Sequence, residues 1–128
     1  MNVANELATY LDTSNFGTLG TDIFVGQIPE GTNGLYLIHS GGQKGLYVPV
    51  DETIIDIYCK NTSASDCIEQ LTNVKNFIHR MHSTGTSLAY FYSILVIGDI
   101  EDVSRDLEYS KVYKITVMLI NRDKSIIS

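Results

Sequence analysis

The sequence predicts an α+β fold: a mostly antiparallel sheet with one long helix packed on one face and a short N-terminal helix. Three observations carry this expectation. Apolar residues recur at helical spacing in two places, near the start and again over 67–81. Alternating or continuous apolar runs at 53–60, 88–97 and 107–122 ask for strands. The resulting order (a helix, several strands, a helix, two long strands) is satisfied by one helix laid on a sheet. The 128 residues carry no internal repeat and no linker, so 1–128 is read as one domain.

Val3, Ala4, Leu7, Ala8 and Leu11 form the stripe of the first helix, which should end near Asp12, before the turn-rich Thr13-Ser14-Asn15. Residues 22–28 read as a strand stopped by Pro29, which cannot donate to a ladder. Gly31-Thr32-Asn33-Gly34 reads as a turn, 35–39 as the returning strand and 41–45 as a glycine loop. In 53–60, Ile55, Ile57 and Cys59 share one face and Asp56, Tyr58 and Lys60 the other. Ser63, with Asp66 three residues on, has the form of an N-cap. Cys67, Leu71, Val74, Ile78 and Met81 then place a helix over 64–82, with Gly85 just beyond it. Asp66 and Glu69 near its start and Lys75 and Arg80 towards its end suit the helix dipole. The run 88–97 reads as a strand covered on both faces. The last strand, 107–122, should turn Tyr109, Tyr113, Ile115, Val117 and Leu119 inward and Glu108, Ser110, Lys114, Thr116 and Arg122 outward.

Composition narrows the function. With 44% hydrophobic and 19% charged residues the chain can build an ordinary core and is not globally disordered. Fifteen acids against nine bases give a net charge of -6, and the bases are scattered, which argues against sequence-specific nucleic-acid binding. No apolar run approaches the ~18 residues of a membrane span, and the first residues do not resemble a signal peptide. A reducing cytoplasm is the expected compartment. Cys59 and Cys67 are expected as buried free thiols.

No arrangement of residues spells out a catalytic site. His79 and His82, at i and i+3, could share a metal, but no third Cys or His lies nearby in sequence. His39-Ser40-Gly41-Gly42 resembles a nucleophile elbow yet has Ile38 where that motif needs glycine. Gly17-Thr18-Leu19-Gly20 lacks the length and the lysine of a phosphate loop. The one dense charged segment holds Asp99, Glu101, Asp102, Asp106 and Glu108 against Arg105. It lacks the glycine and final carboxylate of a calcium loop, with Ser104 and Ser110 in their places. A solvated strand connection and a working surface of an assembly both account for it. No cofactor is expected, and the chain is read as an assembly protein rather than an enzyme.

The segment Phe16-Gly17-Thr18-Leu19-Gly20-Thr21-Asp22-Ile23-Phe24-Val25-Gly26-Gln27-Ile28-Pro29 resembles the tail-terminator proteins of long-tailed bacteriophages, also described as minor capsid proteins. The likeness continues in the paired glycines of Ser40-Gly41-Gly42, in the strand, break and helix of 54–82, and in the acidic turn of 102–109 with its Arg105. Where that family carries an arginine before the helix, this chain has Cys59-Lys60.

The resemblance implies a virion tail protein, assembled in the host cytoplasm as a homo-oligomeric, hexameric ring. Such a ring caps the tail tube, ends its growth and offers a head-joining surface. It implies the major tail tube protein and a head-completion protein as partners, with DNA passing through the ring. Gly41, Gly42 and the acidic residues would then belong to the assembly or lumen surface. There the carboxylates either repel DNA in the channel or meet basic groups of the tube or head protein. The competing readings are a head-completion or neck connector and a cellular small-molecule-binding regulatory domain.

Overall fold

Two helices and six strands follow one another in the computed structural model as α1 (Val3–Thr13), β1 (Ile23–Val25), β2 (Gly34–Gln43), β3 (Asp51–Asn61), α2 (Ala64–Ile78), β4 (Met81–Gly85), β5 (Ala89–Asp102) and β6 (Lys111–Asp123). Residues 3–27, 32–43, 51–79, 81–86, 89–104 and 111–123 are described. The fold is α+β, dominated by a mixed sheet in the order β1-β2-β3-β6-β5-β4. Four neighbouring pairs are antiparallel and β1–β2 is parallel.

Helix α1 forms where its stripe demands, with Ala4, Leu7, Ala8 and Leu11 buried. The strand expected over 22–28 shrinks to three residues. The Thr18 carbonyl accepts the N–H groups of Thr21, Asp22 and Ile23, so the chain is still turning until Ile23. Its parallel pairing places Gly34 against the Asp22 carbonyl, which accepts the Leu35 N–H at 2.8 Å. Gly34 has φ +155°, and a Cβ there would collide with that carbonyl. Residues 28–31, which include Pro29 and the first residue of the expected turn, lie outside the described residues.

The glycine loop expected at 41–45 is instead strand as far as Gln43, with the register shifting between His39 and Gly41. Gly42 allows this: its φ is +131°, and a Cβ would strike the Glu52 carbonyl and lie 2.8 Å from Thr53 Cα. Lys44 and Gly45 lie outside the described residues.

Helix α2 starts as expected, the Ser63 hydroxyl accepting the Asp66 N–H at 3.4 Å. It ends at Ile78 rather than near His82. His79 turns to extended backbone, and its Nδ1 accepts the Val96 N–H of β5 at 3.1 Å. The chain then enters β4, an edge strand that includes His82 and Gly85 and takes the place of the expected last helical turn.

Strand β5 runs past Ile97 into the acidic segment, with register shifts at 91/93 and 97/101. It is not covered on both faces: Tyr92 is 38% exposed and Ile97 45%. Strand β6 buries Ile115, Val117 and Leu119 as expected and half-buries Tyr113. Residues 107–110, with Tyr109, lie outside the described residues.

The core is one cluster on one face of the sheet. Leu35, Leu37, Ile55, Ile57, Cys59, Ile94, Val96, Ile115, Val117 and Leu119 supply the strands' share. Leu7 and Leu11 of α1 and Cys67, Leu71, Val74 and Ile78 of α2 supply the helices'.

Candidate assembly surface

Side chains alternate across a pleated sheet, so each inward residue has a neighbour on the opposite face. The pairing register aligns those neighbours in rows. Phe24, Tyr36, Tyr58, Lys114 and Glu101 form the first row, and Ile38, Asp56, Thr116 and Ile97 the second. Gly41, Ile54, Met118 and Leu95 form the third, and Glu52, Ile120 and Ser93 the fourth.

The apolar residues of these rows neither belong to the core cluster nor pack against it. Of the four large apolar side chains exposed among the described residues, three (Ile38, Tyr92 and Ile97) are in β2 and β5 and belong to this face. Isolated exposed apolar residues need no explanation, but a contiguous face of them marks an interaction site.

Its polar centre is internally satisfied. Asp56, 9% exposed, accepts from the Thr116 hydroxyl at 2.8 Å and lies 3.7 Å from Lys114 Nζ. Lys114 also sits 5.9 Å from the centre of the Tyr58 ring, which stacks on Tyr36 at 4.7 Å and 6°. The charge of Asp56 is therefore matched within the subunit, and the face can be covered without stranding it.

The acidic segment is divided by the fold. Asp99 is exposed in the second bulge of β5, whereas Glu101 stands opposite Lys114 on the open face. Asp102 Oδ1 accepts the Ser104 N–H at 2.9 Å, and Ser104 Oγ bridges both polar groups of the Val112 backbone. The Ser104 backbone N–H and side chain hold the Asp102 carboxyl below the usual aspartate range. Tyr113 is pushed up by desolvation and then by the Asp102 charge. Asp102 thus builds the turn. Arg105, Asp106 and Glu108 lie outside the described residues. Gly41 pairs with Ile54 in the third row, and Gly42 serves the backbone approach of β2 to β3.

The residues weighed for catalysis are scattered. Ser40 is exposed at the β2 bulge, and His79 spends its Nδ1 on Val96. Cys59 and Cys67 are buried free thiols, the first donating to Gln70 Oε1 at 3.2 Å and the second to the Cys59 carbonyl at 3.4 Å. Burial pushes both thiols up, away from the reactive thiolate. No group of three or more His, Cys, Asp or Glu residues able to hold a metal occurs among the described residues. No described helix is long and apolar enough to cross a membrane.

A shallow polar groove of about 340 Å³ runs beside Phe16, Gly17, Asp22, Gly34, Asn61 and Gln70. Its floor is the turn of the Phe16–Asp22 motif, where Asp12 Oδ2 accepts the Leu19 N–H at 3.0 Å. That motif is an architectural device joining α1 to β1.

No protein-family model matches the chain, and no curated protein matches it either. Alternation already turned Asp56, Tyr58, Lys114 and Thr116 to this face; the apolar members Ile38, Ile54, Leu95, Ile97, Met118 and Ile120 are the ones it did not single out. The available signal was the run 117–120, apolar in both phases, on a chain with too little helix to cover both faces of its sheet.

Proposed function

We propose that this chain is a structural, non-enzymatic protein of a long-tailed phage or prophage. Its copies form a ring that caps the tail tube, ends tail growth and presents the head-joining surface. The working subunit in this reading is a largely antiparallel sheet with α2 packed on one face and the other face free for contact. The observation that carries the proposal is that apolar face outside the core, since a contiguous apolar surface marks a place where another protein docks. The resemblance of 16–29, 40–42, 54–82 and 102–109 to tail terminators supplies the kind of assembly. The partners are the tail tube protein and a head-completion protein, in the host cytoplasm during assembly and in the virion tail afterwards.

The test is a tube-growth assay. Purified chain added to polymerising tail-tube protein from the same phage should bind one end of each tube and stop elongation. A gene position just before the major tail protein gene should accompany it. Tubes that grow unchanged with the chain in excess would refute the reading.

A further inference from the structure

We propose that the groove between the Phe16–Asp22 turn, the start of β2, the end of β3 and α2 binds a neutral sugar, whose hydroxyl groups meet Asn61, Gln70 and Asp22 and whose C–H face meets the Phe16 ring. The proposal is independent of the tail-capping reading and of the open sheet face.

The lining selects the class of ligand. Among the described residues it holds four carboxamides (Asn15, Asn33, Asn61 and Gln70), one carboxylate (Asp22) and one aromatic ring (Phe16), with no Lys, Arg or His. An anion such as phosphate meets no positive charge there and one negative charge against it. An apolar ligand needs walls that are mainly hydrophobic, and these are mainly amide. A cation would rest on Asp22 alone, which is exposed and already accepts the Thr18 N–H at 3.3 Å; an exposed ion pair is worth little. Hydroxyl groups remain, since each donates and accepts, as a carboxamide does.

Two of the amides are fixed in orientation. Asn61 Oδ1 accepts the Ser63 N–H at 3.2 Å and the Thr62 hydroxyl at 3.4 Å. Gln70 Oε1 accepts the Cys59 thiol at 3.2 Å. Burial keeps that thiol protonated, so it stays a donor. With their oxygens engaged inside the subunit, both half-buried side chains leave their NH2 groups for a ligand. Donors already held in place lose little freedom when they bind.

Asp22 adds an acceptor to these donors, and Phe16 adds an apolar surface. The Phe16 ring is itself held by Phe77, with centroids 5.0 Å apart and planes at 49°. A sugar has the matching two-sidedness, hydroxyls around its rim and C–H groups on its face. At about 340 Å³ the groove is near the small end of ligand sites, which span roughly 300–1,000 Å³. It takes a single sugar unit with one side left in water, and the dissociation constant should be on the order of 1 mM.

Heteronuclear NMR of the purified chain, titrated with the methyl glycosides of glucose, galactose, mannose and N-acetylglucosamine, tests this. At least one glycoside should shift the side-chain amide signals of Asn61 and Gln70 and the ring signals of Phe16, and the shifts should saturate. Gln70→Met and Asp22→Ala, checked for unchanged signals away from the groove, should each weaken that binding by roughly two- to tenfold. Asp22→Asn, which keeps an acceptor, should weaken it less. Absence of saturable shifts with all four glycosides would overturn the proposal. So would shifts produced by methylguanidinium or by triglycine and by no glycoside, which would make the groove a cation or peptide site. Glycoside shifts that persist unchanged in both Gln70→Met and Asp22→Ala would overturn the location.

Discussion

Single residues here are fixed by what lies against them. Gly42 combines a positive φ with the Glu52 carbonyl at its back, so Gly42→Ala should lower the urea midpoint by the equivalent of at least about 1 kcal/mol. The sequence shows a pair of glycines there but not the neighbouring strand, which is why a loop was the natural expectation. Cys59 and Cys67 were legible as core residues because a thiol in an apolar phase packs as one. Burial raises both, so iodoacetamide at pH 8 should label neither in the native protein and both in denaturant. For Asp102 the folded carboxyl is lowered by Ser104. The stability it contributes is present above the ordinary aspartate value of about 3.9 and is lost as pH falls through the lowered folded value. Urea midpoints of the wild type and Asp102→Ala should therefore differ at pH 7 and converge as pH falls through that lowered folded value.

Among the elements, α2 was the most legible and its end the least. Ser63 and the stripe from Cys67 to Ile78 are local signals, whereas Met81 fits the spacing equally well as the first residue of β4. What ends the helix is a partner distant in sequence, the Val96 N–H that donates to His79. Leu71, fully buried, should cost roughly 2–5 kcal/mol as Leu71→Ala. An unchanged midpoint would mean the stripe does not pack on the sheet. Strand β1 shows the same limit. Its residues are strand-like, but its parallel alignment depends on Gly34 meeting Asp22, which no local pattern encodes.

At the scale of the whole molecule, the sequence predicts the class α+β but not which strands are neighbours. The acidic segment was legible as a feature, yet only the β5–β6 register separates Glu101 on the open face from Asp102 in the turn. The same register puts β6 in the middle of the sheet, joining β3 to β5. Asp56 pairs with Thr116, sixty positions later. During synthesis, then, β1 to β3 wait as one fragment and β4 with β5 as another, each with a long bare edge, until Lys111–Asp123 leaves the ribosome. Contacts this distant close slowly, on the millisecond-to-second scale typical of high contact order. Until then the waiting edges are the chain's main exposure to mispairing with a neighbour on the same polysome.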